Sequence, residues 1–295
     1  MTSAVLITLV ILLSSAQVLA CRLFSNHYPG DASASSSVFS IVSGATVVIT
    51  AFAVNGFTFD AQPLTVLCAV LNAVVIVGYN ICVIAASRTG PYSIQMTFTL
   101  AGNILIPTLS ALIFDPESEP PSVLRWVAIG VIILSIFLIN RKDNEQKVKS
   151  ALFLPACIGL FLTNGLFGAF LNVQQLVSGI DNKDEMIIMT YSLSCLFFTV
   201  YALCRRRKKF LSDFRQTKKS LLFLVLCALA MAFSINLLVF VLNLVNTAVL
   251  FTFNNAGILL CSVLAARLLF KERFSKTNVV GCALMGLALI GVSIF

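Results

Sequence analysis

From Leu64 to Phe114 the chain reads LTVLCAVLNAVVIVGYNICVIAASRTGPYSIQMTFTLAGNILIPTLSALIF, with Arg88 as its only charged side chain. Apolar runs of roughly 18 or more residues read as membrane helices. As one helix this stretch would be about 76 Å long at about 1.5 Å per residue. The hydrocarbon core of a bilayer is only about 30 Å thick. The stretch must therefore fold back, and Ser87-Arg88-Thr89-Gly90-Pro91 is the turn, because adjacent Gly and Pro break a helix. Ser220 to Phe270 poses the same problem, with Arg267 as its only charge. Its turn is expected around Asn243–Thr247, where neither Gly nor Pro marks the place.

Composition agrees. Hydrophobic residues make up 59% of the 295 and charged residues 11%. A soluble domain carries about 25% charged residues, so a soluble fold of this composition would lack a polar skin. Reading outward from the two long stretches gives ten spans: 3–20, 37–59, 64–86, 92–114, 123–140, 151–177, 186–204, 220–242, 247–268 and 277–294. The expected fold is an all-α membrane protein of ten transmembrane helices. The first segment lacks the basic n-region of a signal peptide and is expected to be a retained helix. The nine cysteines form no C-x-x-C pair. They read as small buried hydrophobes rather than disulfides or metal ligands, and no cofactor is expected.

Charge assigns the sides. Of the 20 Lys and Arg, only Arg125 and Lys183 fall on one side of the ten-span map. The other side holds Arg22, Arg88, the 141–149 loop, the 205–219 loop and the group Arg267, Lys271, Arg273 and Lys276. By the positive-inside rule that side is cytoplasmic, which puts both termini outside. The cluster Arg205–Lys209 reads as a topogenic anchor that also touches anionic lipid. A landing site for an anionic substrate is the alternative. The net charge of +8 is thus explained without nucleic acid, and the partners expected are the lipid bilayer and a small-molecule substrate.

The two long stretches also resemble each other. Phe98-Thr99-Leu100-Ala101-Gly102 in one matches Phe253-Asn254-Asn255-Ala256-Gly257 in the other. Tyr79-Asn80 precedes the first at nearly the distance at which Ile235-Asn236 precedes the second. The chain thus divides into two five-helix repeats, 1–146 and 147–295. Five is odd, so the second repeat enters the membrane inverted, an architecture common among secondary transporters.

Two fused five-helix repeats with short loops resemble the drug/metabolite transporter superfamily, in particular its EamA-type members. The motif that carries the likeness runs from Asn255-Ala256-Gly257 through Leu268-Leu269-Phe270-Lys271-Glu272-Arg273-Phe274-Ser275 into Gly281. It is similar to the family's ending, where a helix stops at an acidic residue and a Gly-bearing helix follows. The first half has the longer Asp115–Pro121 loop instead. The resemblance implies a secondary or facilitative transporter working by alternating access.

Polar residues inside spans are functional-site candidates by default. All 12 Asp and Glu lie in loops or at span ends. A proton-coupled exporter of cations usually needs a membrane-embedded acid, so a neutral, zwitterionic or anionic metabolite is expected. The candidates for binding it are Gln95, Thr99 and Asn103, which share one face of the fourth span. Asn164 and Asn172 share a face of the sixth, and Asn80, Asn236, Asn254, Asn255 and Tyr191 complete the set. Hydrogen bonding between helices would also account for any one of them. An enzyme is not expected, because His27 is the only histidine and no catalytic constellation occurs. A nucleotide-sugar type exchanger of an endomembrane and a non-transporting polytopic protein are the competing readings. Short termini and no retrieval signal point to a bacterial plasma membrane.

Overall fold

The computed structural model of the chain describes residues 2–56, 59–114, 123–140, 150–178, 182–207, 209–215, 217–242, 244, 247–272 and 275–294. Every regular element among the described residues is an α-helix. In order they are α1 (Thr2–His27), α2 (Ala32–Val54), α3 (Pro63–Thr89), α4 (Tyr92–Phe114), α5 (Val123–Asn140) and α6 (Phe153–Ser178). There follow α7 (Lys183–Arg206), a single turn α8 (Phe210–Asp213), α9 (Lys218–Leu242), α10 (Thr247–Leu268) and α11 (Lys276–Ile294).

Six of these, α1, α2, α3, α6, α7 and α9, are long and apolar enough to cross a membrane. The other four expected spans coincide in position with α4, α5, α10 and α11. Of these, α10 contributes the shorter apolar stretch Phe253–Leu268. The architecture is all-α and compatible with a multi-pass membrane protein. The polarity of α3 argues the same way. Its exposed face carries Val66, Val70, Val74 and Ile81, while Thr65, Asn72 and Asn80 are buried. Water would reverse that arrangement; a bilayer favours it.

Local chemistry sets the boundaries. Asp31 caps α2 by accepting a hydrogen bond from the Ala34 amide at 2.7 Å, one of the donors a helix start leaves unmet. Pro63 opens α3, where its missing N–H costs nothing. The expected break falls between α3 and α4, since Pro91 disfavours helical geometry at Gly90. A side chain at Gly90 would collide with the Phe153 ring at the start of α6. Helix α9 ends at Leu242 and α10 begins at Thr247, matching the expected span limits, while Asn243, Val245 and Asn246 of the expected turn lie outside the described residues. Two features differ from the sequence reading. Helix α1 continues beyond residue 20 to His27, so Arg22, assigned there to a loop, is helical and buried. The basic loop after α7 contains the turn α8. The loops at 115–122 and 141–149 lie outside the described residues.

The helices pair in a regular way. The most extensive contacts are α4 with α6, α1 with α9, α3 with α6, α5 with α11 and α2 with α7. Next come α2 with α9 and α3 with α7. All of these join residues before 146 to residues after 147. Contacts such as α2 with α3 or α4 with α5, between neighbours in sequence, are slighter. Two close approaches stand out. A Cβ at Gly102 would lie 1.9 Å from the Phe161 carbonyl oxygen of α6, and one at Gly257 would lie 2.6 Å from the Ile11 side chain of α1. Small residues are what let helix backbones come this near in a membrane bundle.

Candidate functional site

The polar residues of α4 face α6 and α10, which pack against it, and at its start reach Arg22 of α1 and Ser87 of α3. Asn103 stands at the midpoint of α4 and donates through Nδ2 to Asn255 Oδ1 of α10 at 3.0 Å. Asn255 is 1% exposed, and its own Nδ2 has no hydrogen-bond partner among the described residues. A buried amide donor left unmet costs about 1–3 kcal/mol, so this is where a ligand's acceptor would be rewarded. One turn before Asn103, the Thr99 hydroxyl donates to the Gln95 carbonyl at 2.9 Å. The Thr99 carbonyl accepts from Asn164 Nδ2 of α6 at 2.9 Å. Asn103, Thr99, Asn164 and Asn255 thus meet near the middle of their helices, on the contacts of α4 with α6 and α10.

The other expected residues lie elsewhere. Gln95 sits one turn into α4, at its entrance. Its Oε1 accepts from the Ser87 hydroxyl at 3.2 Å and from Arg22 Nη1 at 3.4 Å. Asn236 of α9 donates to Thr50 Oγ1 of α2 at 3.2 Å and to the Ala232 carbonyl at 2.8 Å. Tyr191 of α7 is buried in the apolar cluster with Val47, Ile76 and Met231. Asn80 and Asn254 are buried, and the Oδ1 atom of each lacks a partner among the described residues. Asn172 is half-buried on α6. The structure thus gathers four of the ten candidates, holds Gln95 and Asn236 in structural bonds, and leaves the rest dispersed.

A polar corner that the sequence did not announce surrounds the start of α4. Arg22 is only 8% exposed. Its Nη2 donates to the Gly90 carbonyl at 2.6 Å, and its Nη1 reaches the Ala86 carbonyl at 3.3 Å. The guanidinium also lies over the Phe270 ring, 5.5 Å from its centroid, a favourable cation–π arrangement. Glu272 supplies the opposing charge. Its carboxylate accepts from the backbone amides of Tyr92 and Ser93 and, at 2.6 Å, from the Ser93 hydroxyl. A carboxylate there meets both the orphan amides and the positive end of the helix dipole.

The turn that delivers Glu272 is itself unusual. Lys271 has φ of +52°, a conformation normally left to Gly. The Phe270 amide bonds back to the Ala265 carbonyl at 3.3 Å, the six-residue closure seen at helix C-termini, and the Glu272 amide reaches the Ala266 carbonyl at 2.9 Å. Glu272 was visible in the sequence as the acidic residue closing the α10 motif, but its partner was not. Arg22 gave no local sign at all, because each group it bonds lies on α3, on α4 or between them.

The described acids Asp31, Asp60, Asp184, Glu185, Asp213 and Glu272 all stand outside helices or in end turns. No group of three or more His, Cys, Asp or Glu side chains fit to hold a metal occurs among the described residues.

No family model matches the chain, and no curated protein does. Among solved structures, the chain is similar to the crystal structure of a protein of 11% sequence identity, with a TM-score of 0.64. The match covers 99% of this chain and 96% of the other. At that identity the likeness is one of fold, extending from one end of the chain to the other.

Proposed function

We propose that the chain is a ten-span secondary or facilitative transporter, built from inverted repeats 1–146 and 147–295, that moves a small polar metabolite by alternating access. The observation that carries the reading is the Asn103–Asn255 bond with its unmet Asn255 amide. It lies near mid-helix between α4 and α10, which are equivalent members of the two repeats. That is where inverted-repeat transporters place their substrate.

The packing pattern supports the repeat. Exchanging α1 with α6, α2 with α7, α3 with α9, α4 with α10 and α5 with α11 turns α1–α9 into α6–α3 and α2–α9 into α7–α3. Both members of each pair are present. The same exchange relates the Gly102–α6 approach to the Gly257–α1 approach. In this reading Thr99, Asn103, Asn164 and Asn255 bind the substrate through neutral groups, which suits a neutral, zwitterionic or anionic metabolite. The Glu272 contact to α4 belongs to the cytoplasmic gate, and inward opening requires that carboxylate to leave the α4 amides. The membrane is the plasma membrane of a bacterium, and the family is that of the EamA-type drug/metabolite transporters.

The test is flux in proteoliposomes across a panel of metabolites. One should move down its gradient, with no steep dependence on a proton gradient. Asn255→Ala should cut uptake roughly tenfold or more, the loss expected for a buried hydrogen bond worth about 1.4 kcal/mol. Normal uptake by Asn255→Ala and Asn103→Ala would remove these amides from the site.

A further inference from the structure

The basic segment between α7 and α9 is more than a run of charge. Its middle is held in place. The Tyr28 hydroxyl at the end of α1 donates to the Asp213 carbonyl at 3.0 Å. Phe214 packs against the apolar cluster of Phe24, Tyr28 and Ala34, and Phe210 and Phe214 stand edge to face at 5.3 Å. This fixes α8 beneath the ends of α1 and α2. On the outer side Leu211 is 79% exposed. Arg205, Arg207, Lys209, Arg215, Lys218 and Lys219 around it are all exposed. Asp213 is the only acid between Arg205 and Lys219. Leu203, Leu221 and Leu222 extend the exposed apolar surface onto α7 and α9.

We propose that this face is a binding surface for anionic phospholipid, with Leu211 entering the acyl boundary and the six basic side chains meeting headgroup phosphates. Two observations point to lipid rather than to a soluble anion. The charges are exposed around an exposed leucine, and the exposed leucines of α7 and α9 make the surface continuous with the apolar flank of the bundle. An apolar tip ringed by Lys and Arg is the pattern of segments that lie in a membrane interface. Each cation near an anionic surface adds to the attraction, and anchoring α8 to α1 lowers the ordering cost of binding. The proposal rests on the reading of the chain as a bilayer protein.

The experiment uses the purified full chain in nanodiscs, where orientation during biosynthesis plays no part. Discs of phosphatidylcholine are compared with discs in which phosphatidylglycerol replaces part of it. The readouts are co-purifying lipid after detergent exchange and thermal stability in the discs. The wild type should retain phosphatidylglycerol over phosphatidylcholine, and the preference should weaken at high salt. The combined variant Arg205→Gln, Arg207→Gln, Lys209→Gln and Arg215→Gln should lose that preference by roughly tenfold or more. Exchanging Lys209, Lys218 and Lys219 for Arg should keep it. An unchanged preference in the glutamine variant, with helicity intact by circular dichroism, would overturn the proposal. Displacement of the lipid by millimolar inorganic phosphate would overturn it in favour of a soluble-anion site. Failure of the protein to enter discs of either lipid would remove the bilayer reading and the proposal together; entry without preference removes the proposal alone.

Discussion

At the scale of single residues, the turn after α10 concentrates two opposing effects. Lys271 adopts a left-handed conformation that costs a side-chain-bearing residue about 1–2 kcal/mol. In return Glu272 reaches the α4 amides. Lys271→Gly should therefore raise stability by up to about 1 kcal/mol, whereas Glu272→Gln should lower it by about 1 kcal/mol through loss of a charge-assisted cap. Thermal unfolding of the purified protein in detergent reads both, and equal effects of the two changes would contradict the assignment. The amides show how far side-chain chemistry was legible. The i, i+4 spacing of Gln95, Thr99 and Asn103 correctly placed them on one face of a helix. It could not tell which would meet a partner, because Asn103 and Asn255 are 152 positions apart. Gln95 was grouped with the others by spacing alone, yet its bonds to Arg22 and Ser87 make it part of the corner.

Among the described glycines, the tightest contact for an added Cβ is that of Gly102 on α4 with α6. Gly102→Ala would drive a methyl group into the Phe161 carbonyl. Backbone cannot step aside as a side chain can, so a cost of about 3 kcal/mol is expected. Gly257→Ala meets only the Ile11 side chain and should cost less, about 1 kcal/mol. Gly286 has nothing among the described residues within 4 Å of its would-be Cβ, so Gly286→Ala should be neutral or stabilise by a few tenths of a kcal/mol. A series of melting temperatures in that order checks the packing, and a tolerated Gly102→Ala would refute the α4–α6 contact. Helix boundaries were largely readable beforehand. Gly90–Pro91 announced its break through backbone chemistry, and hydropathy with length forced the one near residue 243. The end of α1 was not readable, since its last turns hold Arg22 and follow the apolar run. The carbonyls of Ala86 and Gly90, with Gln95, the Glu272 charge and the Phe270 ring, all supplied from elsewhere in the chain, make that buried guanidinium tolerable.

For the molecule as a whole, orientation and assembly can both be tested. Single cysteines placed in 141–149 and 205–219 should resist impermeant thiol reagents added to intact cells, as the charge asymmetry requires; labelling from outside would invert the map. The dominant contacts join the first half to the second, so 1–146 expressed alone should give no protease-resistant unit, and co-expression with 147–295 should restore one. A resistant first half would mean that the pairing of α1 with α9 and α5 with α11 is dispensable. The membrane character and the two-stretch likeness could be read from sequence because hydropathy and spacing are local quantities. The interlocking of the halves could not, because nothing in a helix's own residues names the helix it packs on. That interlocking, with the Tyr92 amide donating to Glu272 across 180 positions, sets a timetable for biosynthesis. A ribosome adding about 5–20 residues per second needs roughly ten to forty seconds to travel from one partner to the other. During that interval α4 has been made without its cap, α1 without α9 and α5 without α11. The nascent first half therefore waits in the membrane as an unfinished set of helices, and the tertiary structure closes only when the α10–α11 turn arrives.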